Sequence, residues 1–275
     1  MARRLQQAGH TVHAWNRTQS KADPLAALGI AVHATVAEAV RQADIVVSLL
    51  ENGPAVEHVL FHAGAAQAMR PGTLFIDMAS IQPREARDHA ARLGEMGLAH
   101  LDAPVSGGTV GAENGTLAIM AGGRAEDFAR AQPVFAALGR ATHVGPHGSG
   151  QLAKLANQMI VGITIGAVAE ALLFAAKGGA DMAKVREAIS GGFADSRILQ
   201  LHGQRMVDRD FAPRGRMTVQ LKDLDNALIT AQEIGFDAPI TALFEALYKD
   251  GVEHGLGQLD HSGLFVELAS RNAMQ

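Results

Sequence analysis

The chain has 275 residues, 48% hydrophobic and 19% charged, with a net charge of −4; two domains are the default at that length, and the balance is that of an ordinary globular protein. Mild acidity gives no electrostatic footprint for nucleic acid, and the absence of cysteine excludes thiolate catalysis, disulfides and cysteine metal sites. The opening MARRLQQAGH has no apolar core of signal-peptide length, so a reducing, cytoplasmic location is expected.

Residues 1–8 read as a helix ended by Gly9, with no capping residue in front, so the chain is expected to begin inside an element. TVHAW at 11–15 reads as a short strand, 20–28 as a helix ending at Gly29, and 30–33 as a second strand. Thr35 and Glu38 make a capping box for a helix over 36–43. IVVSLL at 45–50 is a continuous apolar run, expected as a strand buried on both faces. A helix over 54–61, a strand over 73–78, a helix over 83–96 and a strand over 98–101 follow. After a loop come a strand over 116–121, a helix over 125–138 and a strand over 141–144. This alternation predicts an α/β fold, a mostly parallel sheet over 1–146, whose ligands sit beyond the carboxyl ends of its strands. A dinucleotide fold would set a strand and a G-x-G-x-x-G turn before the first helix. Neither stands in this sequence, and the expectation is a Rossmann-like domain with its first strand and glycine turn missing.

Residues 147–275 read as an all-α domain. It is joined to the first by GPHGSGQLAKLANQMIVGITIGAVAEALLFAAK at 145–177, a glycine-rich turn running into an almost wholly apolar helix. Such a helix would be about 40 Å long and is either buried or membrane-spanning. Glu170 and the lack of an aromatic belt speak against a membrane span. Burial of so long a rod predicts that a second subunit covers part of it. Asp181 can cap a helix reaching 189, Asp195 one over 196–206, and further helices are expected over 218–233, 239–254 and 261–271.

Lys154, Asn157 and Gln158 share the i, i+3, i+4 face of the long helix, which makes their face the candidate active site. Asn16, Arg17 and Thr18 follow the strand TVHAW. An acidic residue there would bond the ribose of NAD, whereas an Arg can pair with the 2′-phosphate of NADP, so the residues point to NADP unless Arg17 is merely a solvated charge. Ser106, Gly107 and Gly108 offer a hydroxyl and unobstructed backbone N–H groups suited to a carboxylate, or simply a tight loop.

With DAPVSGG at 102–108, GSGQLAKLANQ at 148–158 and LKD at 221–223, the sequence resembles the β-hydroxyacid dehydrogenase family over nearly its whole length. The resemblance implies a Rossmann-like first domain, a helical second one, and a homodimer or homotetramer. It implies hydride transfer between NADP(H), with NAD as the alternative, and a small carboxylate substrate: a 3-hydroxy acid or semialdehyde of the 3-hydroxyisobutyrate or 2-hydroxy-3-oxopropionate type. Lys154 would donate and accept the proton, Ser106, Gly107 and Gly108 would bind the substrate carboxylate, and Asn157 or Gln158 would touch the substrate. At the cofactor it implies Leu50 and Glu51, where the family often has Leu-Pro, Ser80 after FIDMA, and Lys222. Met1, Ala2 and Leu5 look like the helix after the family's glycine turn.

A lysine at its ordinary pKa near 10.4 is a poor acid–base catalyst at neutral pH; burial and a nearby Lys222 would lower it, and a bound carboxylate would raise it again. The other reading of Lys154 is a side chain snorkelling at a helix start. His89, His100, His143, His147 and His261 include no helical H-x-x-x-H pair, and with no carboxylates expected around them no metal site is predicted. Asp102 reads as a structural loop residue. An imine reductase shares the fold and the WNRT-like strand end but usually lacks the lysine. A non-catalytic binding or scaffold protein is the other rival, separated by cofactor titration.

Overall fold

The computed structural model describes residues 1–274. The chain divides into unit 1, Met1–Lys154, and unit 2 from Leu155 onward.

Unit 1 runs α1 (Ala2–Gln7), β1 (His13–Ala14), β2 (Ala31–Val32), α2 (Val36–Val40), β3 (Ile45–Ser48), α3 (Gly53–Glu57), α4 (Ala65–Ala68), β4 (Leu74–Asp77), α5 (Pro83–Glu95), β5 (Ala99–Asp102), β6 (Val105–Ser106), α6 (Gly108–Asn114), β7 (Leu117–Gly123), α7 (Ala125–Leu138) and β8 (Gly139–Gly145), and ends inside α8 (Ser149–Lys177). Strands β1 and β2 form a parallel pair, His13 opposite Ala31. The other six form one sheet in the order β3-β4-β5-β7-β6, with β8 on β7. Pairs β3/β4, β4/β5 and β7/β8 are parallel, and β7 runs antiparallel to β5 and β6. The period of two along β4 separates the two cores: Phe75 joins Val56, Leu60, Ala86 and Leu93 on one face, whereas Leu74 and Ile76 join Leu117, Ile119 and Phe135 on the other.

Several elements depart from expectation. The run IVVS of β3 is half-buried throughout, because β3 is the last strand on its side of the sheet among the described residues. Residues 20–28 form two 3-10 turns, Gln19–Lys21 and Asp23–Leu28, broken where Pro24 supplies no N–H to continue the first. The stretch expected as a loop after Asp102 contains β6 and α6. Their glycines mask any periodicity, and the segment is fixed by long-range pairing of Val105 with Ile119 and Ser106 with Ala118. Thr35 and Glu38 do form the expected capping box.

Unit 2 holds the rest of α8, then α9 (Met182–Ile189), α10 (Gln204–Asp208), α11 (Met217–Glu233), α12 (Pro239–Gly251) and α13 (Leu264–Arg271). Asp181 caps α9 through Lys184 N. Ahead of α10 the capping oxygen is Ser196 Oγ, on Leu199 N, and not Asp195, which is taken by Gly191 N and Gln200. The core of the unit is Ile165, Ala169 and Leu172 of α8 against Leu224, Tyr248 and Phe265; each large apolar side chain buried there contributes roughly 1.5–3 kcal/mol. Gly166 leaves room for Phe244, since a Cβ there would lie 2.0 Å from its ring, which offsets the cost of glycine inside a helix. By length and composition alone α8 could cross a membrane. Its core side chains are buried in unit 2, while Ile160 and Phe174 are 66% and 81% exposed.

Candidate active site

The site is built from the N-terminal end of α8 outward. Asp102 closes β5 and is fully buried; its Oδ1 accepts from Gly148 N at 2.8 Å and its Oδ2 from Gln151 N at 2.9 Å. A carboxylate at a helix start satisfies N–H groups that otherwise lack partners. Burial raises the Asp102 carboxyl to about 6, against the pull of those amides. The approach is close: a Cβ on Gly150 would lie 2.3 Å from the Asp102 carbonyl oxygen and 2.4 Å from that of Met120. Only a residue without a side chain lets the first turn of α8 lie against β5 and β7.

Gln151, also fully buried, makes the second anchor. Its Oε1 accepts from Ile81 N at 3.1 Å and its Nε2 donates to Ala79 O at 2.8 Å, which brackets half-buried Ser80 after β4. On the adjoining strand end, Asp77 accepts from Ala79 N at 3.0 Å, while its Oδ2 is buried with no partner. Burial lifts this carboxyl to about 7, with the neighbouring Asp102 adding to the effect.

One turn after Gln151, Lys154 is only 9% exposed and its Nζ donates to Val105 O at 2.9 Å. Val105 and Ser106 form β6, so the ammonium group lies beside the serine–glycine turn. Gly107 and Gly108 have φ of 133° and 63°, positive values that favour glycine and leave their N–H groups uncovered by a Cβ. Lys154, Ser106, Gly107 and Gly108 are thus brought together in unit 1.

Further along α8, in unit 2, Asn157 Nδ2 donates to Gln158 Oε1 at 2.8 Å. Buried Gln158 donates to Asp223 Oδ2 at 2.7 Å, and Gln220 Nε2 donates to the Gln158 carbonyl at 3.0 Å. Lys222 pairs with Asp223 Oδ1 at 2.9 Å. Gln158 is therefore occupied inside unit 2, whereas Asn157 is half-buried.

The sequence-predicted cofactor residues of unit 1 follow strand ends. Leu50 and Glu51 follow β3 and Ser80 follows β4; the strands are parallel, so all three stand on one edge of the sheet, where ligands of such folds bind. Asn16, Arg17 and Thr18 follow β1 and are exposed, with Asn16 Oδ1 accepting from Thr18 N at 2.9 Å. The guanidinium and hydroxyl there are donors of the kind that a phosphate needs.

Residues 1–145 match the family model described as the NAD binding domain of 6-phosphogluconate dehydrogenase, and residues 148–268 match that of the NAD-binding region of NADP-dependent 3-hydroxyisobutyrate dehydrogenase. The chain is 44% identical to 2-hydroxy-3-oxopropionate reductase of Escherichia coli, across 96% of this chain and 91% of that protein. The chain belongs to the β-hydroxyacid dehydrogenase family. It is also 34% identical to 3-hydroxyisobutyrate dehydrogenase of Pseudomonas aeruginosa, across 96% and 91% of the two chains. The Mycobacterium tuberculosis 3-hydroxyisobutyrate dehydrogenase solved with L-serine superposes with a TM-score of 0.89, at 31% identity over 97% and 94% of the chains. The protein is accordingly an NAD(P)-dependent oxidoreductase of that family.

In this dehydrogenase, sequence reasoning missed Gln151. Its signal was a lone amide three residues before Lys154, on the same face of an apolar helix. It also placed Asp102 in a loop, whereas Asp102 ends β5 and caps α8. The expectation that no carboxylate gathers near the histidines is wrong as well: His100, Asp102 and His147 each bring a donor atom within 4.8 Å of the other two. Strand alternation sets His100 and Asp102 on one face of β5, and the return of β8 brings His147 over them.

Proposed function

We propose that this dehydrogenase interconverts a small 3-hydroxy acid and its semialdehyde, 2-hydroxy-3-oxopropionate being the leading candidate, using NADP(H) with Lys154 as the acid–base group. The observation that carries it is the Lys154 ammonium on Val105 O, buried beside Ser106. The identity to a 2-hydroxy-3-oxopropionate reductase supports the substrate class.

When bound, the nicotinamide supplies or accepts the hydride. Ser106 and the N–H groups of Gly107 and Gly108 hold the substrate carboxylate. Lys154, whose ammonium donates to Val105 O, gives a proton to the carbonyl oxygen in reduction or takes it back in oxidation. Asn157, rather than the internally occupied Gln158, is the amide assigned to substrate. Arg17 and Thr18 hold the 2′-phosphate, with Asn16 shaping their turn; Leu50, Glu51, Ser80 and Lys222 line the cofactor. The exposed Ile160 and Phe174 support pairing with a second copy, as homodimer or homotetramer, and the core position of α8 supports a chain that does not span a membrane. The cysteine-free composition suits a cytoplasmic setting.

The test is turnover by the purified chain, with NADPH and with NADH, on 2-hydroxy-3-oxopropionate, 3-hydroxyisobutyrate, L-serine and a matched imine. Faster reduction of the imine, or binding of cofactor with no turnover of any hydroxy acid pair, would reject the reading.

A further inference from the structure

We propose that His100, Asp102 and His147 form a binding site for a divalent transition ion of the zinc class, which ties the start of α8 to β5. Such an ion would bind whatever the dehydrogenase's substrate or cofactor. His100 and Asp102 occupy alternate positions of β5, on the face that β4 fills with Phe75, where an apolar pair would be the ordinary choice. His100 is 2% exposed, and both its ring nitrogens are buried with no hydrogen-bond partner; His147 Nδ1 is buried without one too. A buried polar atom is rarely left unpaired, and one ring nitrogen from each of the two histidines is open to a shared ligand.

The donor chemistry selects the ion. Two imidazoles and a carboxylate match zinc and its neighbours, whereas magnesium and calcium take oxygen. Asp102 is already oriented by Gly148 N on one oxygen and Gln151 N on the other, outer-shell contacts of the kind that fix a ligating carboxylate. The donor atoms lie within 4.8 Å of one another, and tetrahedral zinc needs about 3.3 Å between ligand atoms. Closing that gap falls to His147, half-buried on the turn between β8 and α8, whose ring centroid is 5.6 Å from that of His100. Two exposed histidine pairs compete on the surface: His13 and His33, with ring nitrogens 2.8 Å apart, and His58 and His62, four residues apart on a helix with ring centroids 5.9 Å apart.

The experiment uses the full chain carrying His13→Ala and His62→Ala to remove both surface pairs, stripped with EDTA and titrated with zinc chloride. One equivalent should bind and the melting temperature should rise, as for any ligand that binds the folded state alone. His147→Gln in the same background should weaken binding by about 100-fold or more, beyond the loss typical of an outer-shell partner, and abolish the rise. His100→Phe, which preserves the stack on Phe75, should do the same, and cobalt(II) should give tetrahedral visible bands only when both histidines are present. Equal zinc affinity and equal stabilisation in the His147→Gln protein, or no retained equivalent in the parent, overturns the site.

Discussion

The Lys154 ammonium donates to the carbonyl oxygen of Val105, 2.9 Å away, and so sits one residue from Ser106 at the mouth of the glycine turn. A lysine snorkelling into solvent would show neither this contact nor 9% exposure. Replacing it tests the assigned role directly. Lys154→Ala should lower kcat roughly 10²- to 10⁴-fold, the usual worth of a positioned acid–base group, while NADPH binds with nearly unchanged Kd. Turnover that survives means another residue moves the proton.

Arg17 is the choice point between the two nicotinamide cofactors. A charge-assisted hydrogen bond contributes about 1.5–3 kcal/mol, so Arg17→Ala should raise the Kd for NADPH about 10- to 100-fold and leave NADH little affected. Fluorescence titration with both cofactors checks it, and equal losses would remove the phosphate from this residue.

Gly150 fixes how closely α8 can approach the sheet. A methyl group there meets two backbone carbonyls at 2.3 and 2.4 Å, which cannot swing aside as a side chain would. Gly150→Ala should therefore cost about 1–3 kcal/mol of stability and depress kcat by displacing Lys154. Gly94 in α5 is the control: it has open space and helical φ, and alanine there should stabilise by about 0.4–1 kcal/mol in urea unfolding.

Asp77 predicts a pH dependence. Burial raises its carboxyl from 3.8 to about 7 in the folded chain, so the fold favours the protonated form. Its contribution to stability is complete below pH 3.8 and is lost as the pH rises through about 7. In EDTA, the unfolding free energy of the parent minus that of Asp77→Asn should fall between pH 4 and 8 by a few kcal/mol, on the order of 1.4 per pH unit within the window. A flat difference would show that Asp77 is ionised in the fold.

The features legible in the amino acids alone are local or periodic. The Thr35–Glu38 box, the Asp181 cap, the 29-residue helix α8 and the helix face shared by Lys154, Asn157 and Gln158 follow from spacing along one element, so no distant residue is needed to see them. Tertiary structure alone decided the half-burial of β3, the formation of β6 and α6, and the roles of Asp102 and Gln151, because each depends on which strand or loop is the neighbour. The same holds for the histidine–aspartate cluster, whose members are 47 positions apart at most in the chain and meet only because β7 lies between β5 and β8 and the turn after β8 carries His147. Spacing fixes which face a side chain takes, and only the folded sheet fixes what lies opposite that face.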